Sequence, residues 1–388
     1  MKGILRLCVC AAAIAAAGVA QAQEKLKIGI VLTLTGPPAV LGKHALDGFK
    51  LALSALGGKL GGRETELVVV DDELKPDLAI TKVQALLDRD KADFVVGPIF
   101  SNVLAAIIKP VTQSKTFLIS PNAGSSAFAG KGCNPYFFVT SYENDRIHAI
   151  SGAYAQKKGY KRVFLLAPNY QAGKDAIDGF KSAFKGEIVD EVYTPLTQLD
   201  FSAELARIAA AKPDAVYTFM PGGLGVNLVK QYRQAGLAAI PFLSAFTVDE
   251  STLPAQGDAA LGFYGGSNWA PNLDTPQNKA FVAAFEKTYG YVPGSYAFQA
   301  YDAALLIDSA LKATGGKTDD KEALRAALKK ADFRSLRGGF KFNNNGYPIQ
   351  NLYLTKVAKR PDGKYETEIV ETVFKDDVDP FGKECPLK

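Results

Sequence analysis

The chain has 388 residues, 47% of them hydrophobic and 22% charged, with a net charge of +5 at pH 7. That length supports two domains with substantial cores, and the balance is that of an ordinary globular protein rather than a disordered one. The charge is too mild for a nucleic-acid binder, and no Lys/Arg cluster interleaved with aromatics accompanies it.

Residues 1–22 read as a cleaved export signal. Lys2 and Arg6 form a basic start, Leu7 to Ala20 is apolar, and Ala20-Gln21-Ala22 offers a small-x-small cleavage site that leaves Gln23 first. The apolar run of about 14 residues falls short of the ~20 a membrane span needs. Cys8 and Cys10 follow Leu7 and Val9, not the small residue that lipid attachment requires. Without Lys2 and Arg6 the net charge is +3. Only Cys133 and Cys385 then remain, and in an oxidising compartment they most simply pair as a disulfide closing a very long loop, the alternative being two free thiols.

Apolar runs alternate with helical periodicity along the chain. Lys27 to Thr33 reads as a strand, 39–56 as a helix, 66–70 as a strand ending at Asp71-Asp72, and 76–90 as a helix. Phe94 to Val96 is a short buried strand stopped by Gly97-Pro98, and Ser101-Asn102 opens a helix whose first turn they would cap. A second corner of the same kind follows strand 116–119, at Ser120 to Ser126. A helix start carries free N–H groups and the positive end of a dipole, so such corners suit a carboxylate. After the run at 136–139, helices are expected at 145–158, 173–184, 202–211, 226–235, 278–289, 296–314 and 322–331. Strands are expected at 162–166, 188–193, 215–219, 241–246 and 261–264, with extended structure from 339 to 374. This alternation predicts an α/β protein, two doubly wound lobes with parallel central sheets, whose ligand corners lie at the carboxyl ends of strands.

Catalytic and metal-binding patterns are not found. His44 and His148 stand alone on helices, no Cys-x-x-Cys or His-x-x-x-His occurs, and neither a nucleophile elbow nor a phosphate loop follows a strand. Asp71-Asp72 read more simply as strand-end residues bonded to neighbouring turns than as an acid/base pair. Tyr170, Phe246, Trp269 and Tyr296 fall beside predicted loops or helix starts, where aromatics can line a cleft as well as fill a core. A chain of this kind points to binding rather than turnover, with no cofactor and no metal.

Several segments carry a resemblance: Ile28-Gly29-Ile30-Val31 with Thr35-Gly36-Pro37, Asp71-Asp72, Val96-Gly97-Pro98 with Ser101, Ile119 to Ala123, Asn169 to Gly173, Asp200-Phe201-Ser202, and Tyr296 to Ala304. As an ordered set they resemble the periplasmic solute-binding proteins of the branched-chain amino acid type, which serve ABC importers. The resemblance implies a clamshell of two lobes joined by three crossing strands: 25–140 with 271–348, and 141–270 with 349–388. It implies that Ser101 and the segment Asn122, Ala123 and Gly124 hold a ligand carboxylate. Tyr170, Pro221, Gly222, Phe246 and Tyr296 would line the far side. Partners would be a small carboxylate and the membrane permease subunits of the importer, met by a periplasmic monomer. Ligand would bind first to the lobe bearing Ser101, and closure would follow.

One position departs from the family's pattern. Amino-acid binders usually place an acid near Phe246 to pair with the ligand's ammonium, and a buried, unpaired ammonium is costly. Phe246 instead implies a carboxylate with an aromatic or apolar body and no amine, such as an aromatic acid or aromatic 2-oxo acid. A three-residue slip would bring Asp249 to that position and restore branched-chain or aromatic amino-acid binding. Rival readings are an exported enzyme acting on a small acid, against which stands the missing nucleophile–base set, and a sensor domain.

Overall fold

A computed structural model describes residues 24–387; the expected export signal lies outside them. The first sheet follows β1 (Leu26–Leu32), α1 (Ala39–Ala55), β2 (Lys59–Leu60), β3 (Arg63–Asp71), α2 (Pro76–Asp88), β4 (Phe94–Val96), α3 (Ser101–Gln113), β5 (Phe117–Ser120) and β6 (Phe137–Val139). Its order is β2-β3-β1-β4-β5-β6, parallel except for the β2–β3 hairpin. Runs such as Phe94-Val95-Val96 and Phe117-Leu118-Ile119 are apolar throughout because helices cover both faces.

The chain then crosses into a second series: α4 (Asn144–Lys158), β7 (Arg162–Pro168), α5 (Gln171–Ala183), β8 (Glu187–Thr194), α6 (Ser202–Ala211), β9 (Ala215–Thr218), α7 (Gly223–Gln234), β10 (Phe242–Ala245), α8 (Leu253–Gln256) and β11 (Tyr264–Ser267). It returns as α9 (Pro276–Tyr289), α10 (Ser295–Ala313) and α11 (Lys321–Lys330), with α10 packed along α1. It crosses a third time through β12 (Lys341–Phe342) into β13 (Pro348–Lys359) and β14 (Tyr365–Asp377). The second sheet runs β12-β13-β11-β10-β9-β7-β8 with β14 on β13; β7 to β11 pair parallel and the last strands antiparallel.

Three expectations are corrected. The strand expected at 261–264 begins where that range ends, because backbone bonds from Leu261 to Asp258 and from Phe263 to Ala260 spend those residues on a turn. The corner after β5 opens no helix, only a three-residue 3-10 turn, Ser126–Phe128, capped by Ser125. Residues 379–387, placed above with the second lobe, pack on the first. Asp379 accepts from Asn343 (2.9 Å) and Asn345 (3.1 Å), Asn344 donates to the carbonyl of Gly382 (2.9 Å), and Cys385 forms a disulfide with Cys133.

The crossings are tied by one buried polar knot. The carbonyl of Ser141, on the first crossing, accepts from Asn268 on the second (2.8 Å), from Gln350 beside the third (2.9 Å) and from Arg337 (3.2 Å). Arg337 also donates to Thr140 (2.8 Å) and pairs with Asp302 on α10 at 3.1 Å; the two side chains are 4% and 0% exposed. Burial raises the Asp302 carboxyl, and the nearby guanidinium and the Ser335 hydroxyl oppose it. Replacing Arg337 with alanine strands that carboxylate, and a loss of about 3–5 kcal/mol is expected in chemical denaturation. Arg337→Met combined with Asp302→Leu should recover a large part of it.

Candidate functional site

The carboxyl ends of both sheets face one cleft. On the first lobe α3 begins at Ser101, but the residue capping it is Phe100, in extended conformation and without a side-chain cap bond. Ser101 is therefore the first helical residue, not the cap. Its buried hydroxyl accepts from Asn144 Nδ2 at 3.3 Å, and that amide also donates to Asp175 at 2.8 Å. Asp175, on α5 of the second lobe, accepts from Gln171 (2.7 Å) and from Ser126 of the first lobe (3.0 Å). Burial raises this carboxyl, and the three side-chain donors pull it back.

The Asn122 segment builds the wall. Asn122 donates to the carbonyl of Ile99 at 2.7 Å and accepts from the Tyr142 hydroxyl at 3.1 Å. The N–H of Ala123 donates to Pro98. A Cβ on Gly124 would stand 1.8 Å from the carbonyl oxygen of Tyr142, so only glycine fits there. The Asn122 carboxamide and the Ala123 amide are thus spent on protein partners.

Aromatic side chains fill the space between. Phe246 stacks on Tyr142 at 4.9 Å and 21°, and its ring lies 6.0 Å from that of Tyr296. Tyr170 bridges Phe100 (6.1 Å) and Phe219 (6.3 Å), with His148 on the far side of Phe219 at 4.9 Å. Phe246 has φ +56°, a backbone region that bulky residues rarely occupy. Strain of that kind persists where the surroundings over-determine it, commonly at a functional site. Among the described residues no group bonds the hydroxyls of Tyr170 or Tyr296, whereas burial and the charge of Asp249 raise the Tyr142 phenol. His148 is also spoken for: Nδ1 lies 2.6 Å from the Tyr217 hydroxyl, and burial lowers its pKa to about 3.

Pro221 and Gly222 stand at the cleft's mouth. Gly222 has φ +64°, its Cβ position lies 3.1 Å from Pro38 Cα, and the next N–H, of Gly223, donates to the carbonyl of Pro37 across the gap (3.1 Å). Trp269 belongs to the core: it is fully buried, stacks on Phe298 at 4.9 Å and donates to Asn278 at 2.7 Å. Asp71 and Asp72 accept from the backbone of neighbouring turns, at Leu34, Glu73 and Leu74. Tyr142, Phe100, Phe219, Asn144 and Asp175 were not anticipated. Among the described residues no cluster of three His, Cys, Asp or Glu could hold a metal, and no helix is long and apolar enough to cross a membrane.

The acids near Phe246 are committed elsewhere. Glu250 accepts from both the N–H (2.7 Å) and hydroxyl (2.6 Å) of Thr367. Asp249 accepts from Ser251 N–H at 2.9 Å and, across the cleft, from Ser295 N–H at 3.1 Å.

The chain matches the periplasmic binding protein family over residues 25–364 and belongs to it. It is 30% identical over 358 residues to Leu/Ile/Val-binding protein homolog 6 of Brucella melitensis, covering 89% of this chain and 91% of that one. A solute-binding protein of an ABC transporter from R. palustris, solved in complex with benzoate, is 34% identical with a TM-score of 0.89 over 94% of this chain and 100% of that one. Another, from Rhodopseudomonas palustris BisB5 in complex with 3,4-dihydroxybenzoic acid, is 34% identical with a TM-score of 0.86 over 92% and 99%.

Beside the site, Asp145 has its carboxyl raised to about 7, by burial first and then by Asp175 and Asp178. Its protonated form is the stable one, so stability falls as pH rises from about 4 to 7 and is flat above. Asp145→Asn should therefore stabilise at pH 8, by roughly 1–3 kcal/mol after allowance for its partial exposure, and give no gain at pH 4. Melting curves at the two pH values check this.

Proposed function

We propose that this chain is the periplasmic receptor of an ABC importer, binding a small aromatic carboxylate between its lobes and delivering it to the membrane permease without chemical change. The observation that carries the ligand class is Phe246: an aromatic in strained backbone stacks on Tyr142, while the nearest acids in sequence, Asp249 and Glu250, are bonded to protein donors. Ser101's hydroxyl and the uncapped start of α3 take the carboxylate, since free N–H groups and the helix dipole favour an anion there. The Phe246–Tyr142 stack, Tyr170 and Tyr296 surround the ring, and the unpartnered hydroxyls of Tyr170 and Tyr296 suit polar ring substituents. Asn122, Ala123 and Gly124 shape the wall rather than grip the ligand. The moving bodies are 25–140 with 271–348, and 141–270 with the strands after 348, while 379–387 travel with the first body. The benzoate and dihydroxybenzoate complexes of the R. palustris proteins support this reading.

Thermal shift tests it. Benzoate and hydroxybenzoates at a hundred times their Kd should stabilise the protein by about 2.7 kcal/mol, and leucine should not. Phe246→Ala should weaken benzoate at least about tenfold through lost stacking and burial. Stabilisation by leucine alone would reassign the ligand to an amino acid.

A further inference from the structure

α10 is a 19-residue helix, and among the described residues no side chain of its own lobe accepts from its first helical N–H. Gly294, the residue before it, is extended and supplies no side-chain cap bond. The N–H of Ser295, the first helical residue, is taken by the carboxylate of Asp249, 3.1 Å away. Asp249 follows β10 in the second sheet, whereas α10 packs along α1 beside the first. The cap is therefore supplied from the opposite lobe. The other Asp249 oxygen is fixed by Ser251 N–H, which aims the group across the cleft. His44 completes the corner: its Nδ1 accepts from Gly294 N–H at 3.2 Å, and burial lowers its pKa to about 4 against the opposing charge of Asp249. The bond adjoins Tyr296, whose ring faces Phe246.

We propose that Asp249 is a positioning residue for closure: its carboxylate docks on the N-terminus of α10 only when the lobes close, and so latches the ligand in without touching it. This rests on the proposed receptor function. Opening the cleft returns both the carboxylate and the helix end to water. A charge-assisted bond at a helix start is a favourable exchange when the cleft is dry. The latch acts on the closed state whatever the ligand, so it sets residence time rather than selectivity.

Two variants separate the bond from local folding. Asp249→Ala removes the acceptor but also loosens the turn at Ser251. Ser295→Pro removes the donor N–H, and with it the hydroxyl, and sets a ring carbon against the carboxylate; proline is favoured at the first helical position, and the extended Gly294 before it tolerates proline. Benzoate, 4-hydroxybenzoate and leucine are each titrated with wild type and both variants, with small-angle scattering alongside. Both variants should raise Kd about tenfold, through faster release, by the same factor for every compound that binds wild type. The double variant should be no weaker than the worse single one. Unchanged Kd in Ser295→Pro overturns the latch, and a change of ligand ranking in Asp249→Ala makes the residue a ligand contact instead. If none of the three compounds compacts the wild-type protein, the closure on which both readings rest is wrong.

Discussion

One carbonyl oxygen, that of Ser141, sets the frame of this protein. The two other crossings reach it, through Asn268 on the second and Gln350 beside the third, and Arg337, just ahead of the third, adds a further donor. A buried carbonyl with several donors is well satisfied only while all of them hold position, because low polarity strengthens made bonds and penalises broken ones. The knot therefore keeps the three crossings side by side while the rest of each lobe can swing. Tyr142 is the next residue along, so the ring that backs Phe246 is fixed by the same point that fixes the hinge.

The cleft divides its labour along this axis. Near the start of α3 it is polar and donor-rich, and the Asp175 carboxylate beside it is occupied by Asn144, Gln171 and Ser126. Around Phe246 it is aromatic, and the two acids closest in sequence are turned to protein donors. A molecule with one anionic end and a flat apolar body fits that gradient. An amine at the Phe246 end would lose water and meet a ring face and already-bonded carboxylates.

The strand–helix alternation was readable because buried parallel strands are apolar without interruption, as Phe94 to Val96 and Phe117 to Ile119 are. Phe246 was singled out only by comparison with a family pattern; local sequence carries no sign of its strained backbone or its stacking on Tyr142. Ser101 was misread as a cap because a serine before an apolar run looks the same at the cap and one residue further; only the extended backbone of Phe100 decides. Tyr142 was invisible: it lies in a short crossing with no periodicity, and its role comes from a partner more than a hundred residues away. The strand at 264–267 was displaced because Tyr264-Gly265-Gly266-Ser267 carries little apolar signal. The tail after β14 was given to the wrong lobe because its place is set by Asn343 to Asn345, contacts that composition does not encode.

That tail changes the covalent topology. The bond between Cys133 and Cys385, 252 residues apart, closes a ring that contains every strand of the second sheet. The second lobe is thus a loop stapled at both ends to its neighbour. A single protease cut at an exposed turn within it, such as Pro361-Asp362-Gly363, leaves every piece still joined, and two cuts are needed before any segment can leave.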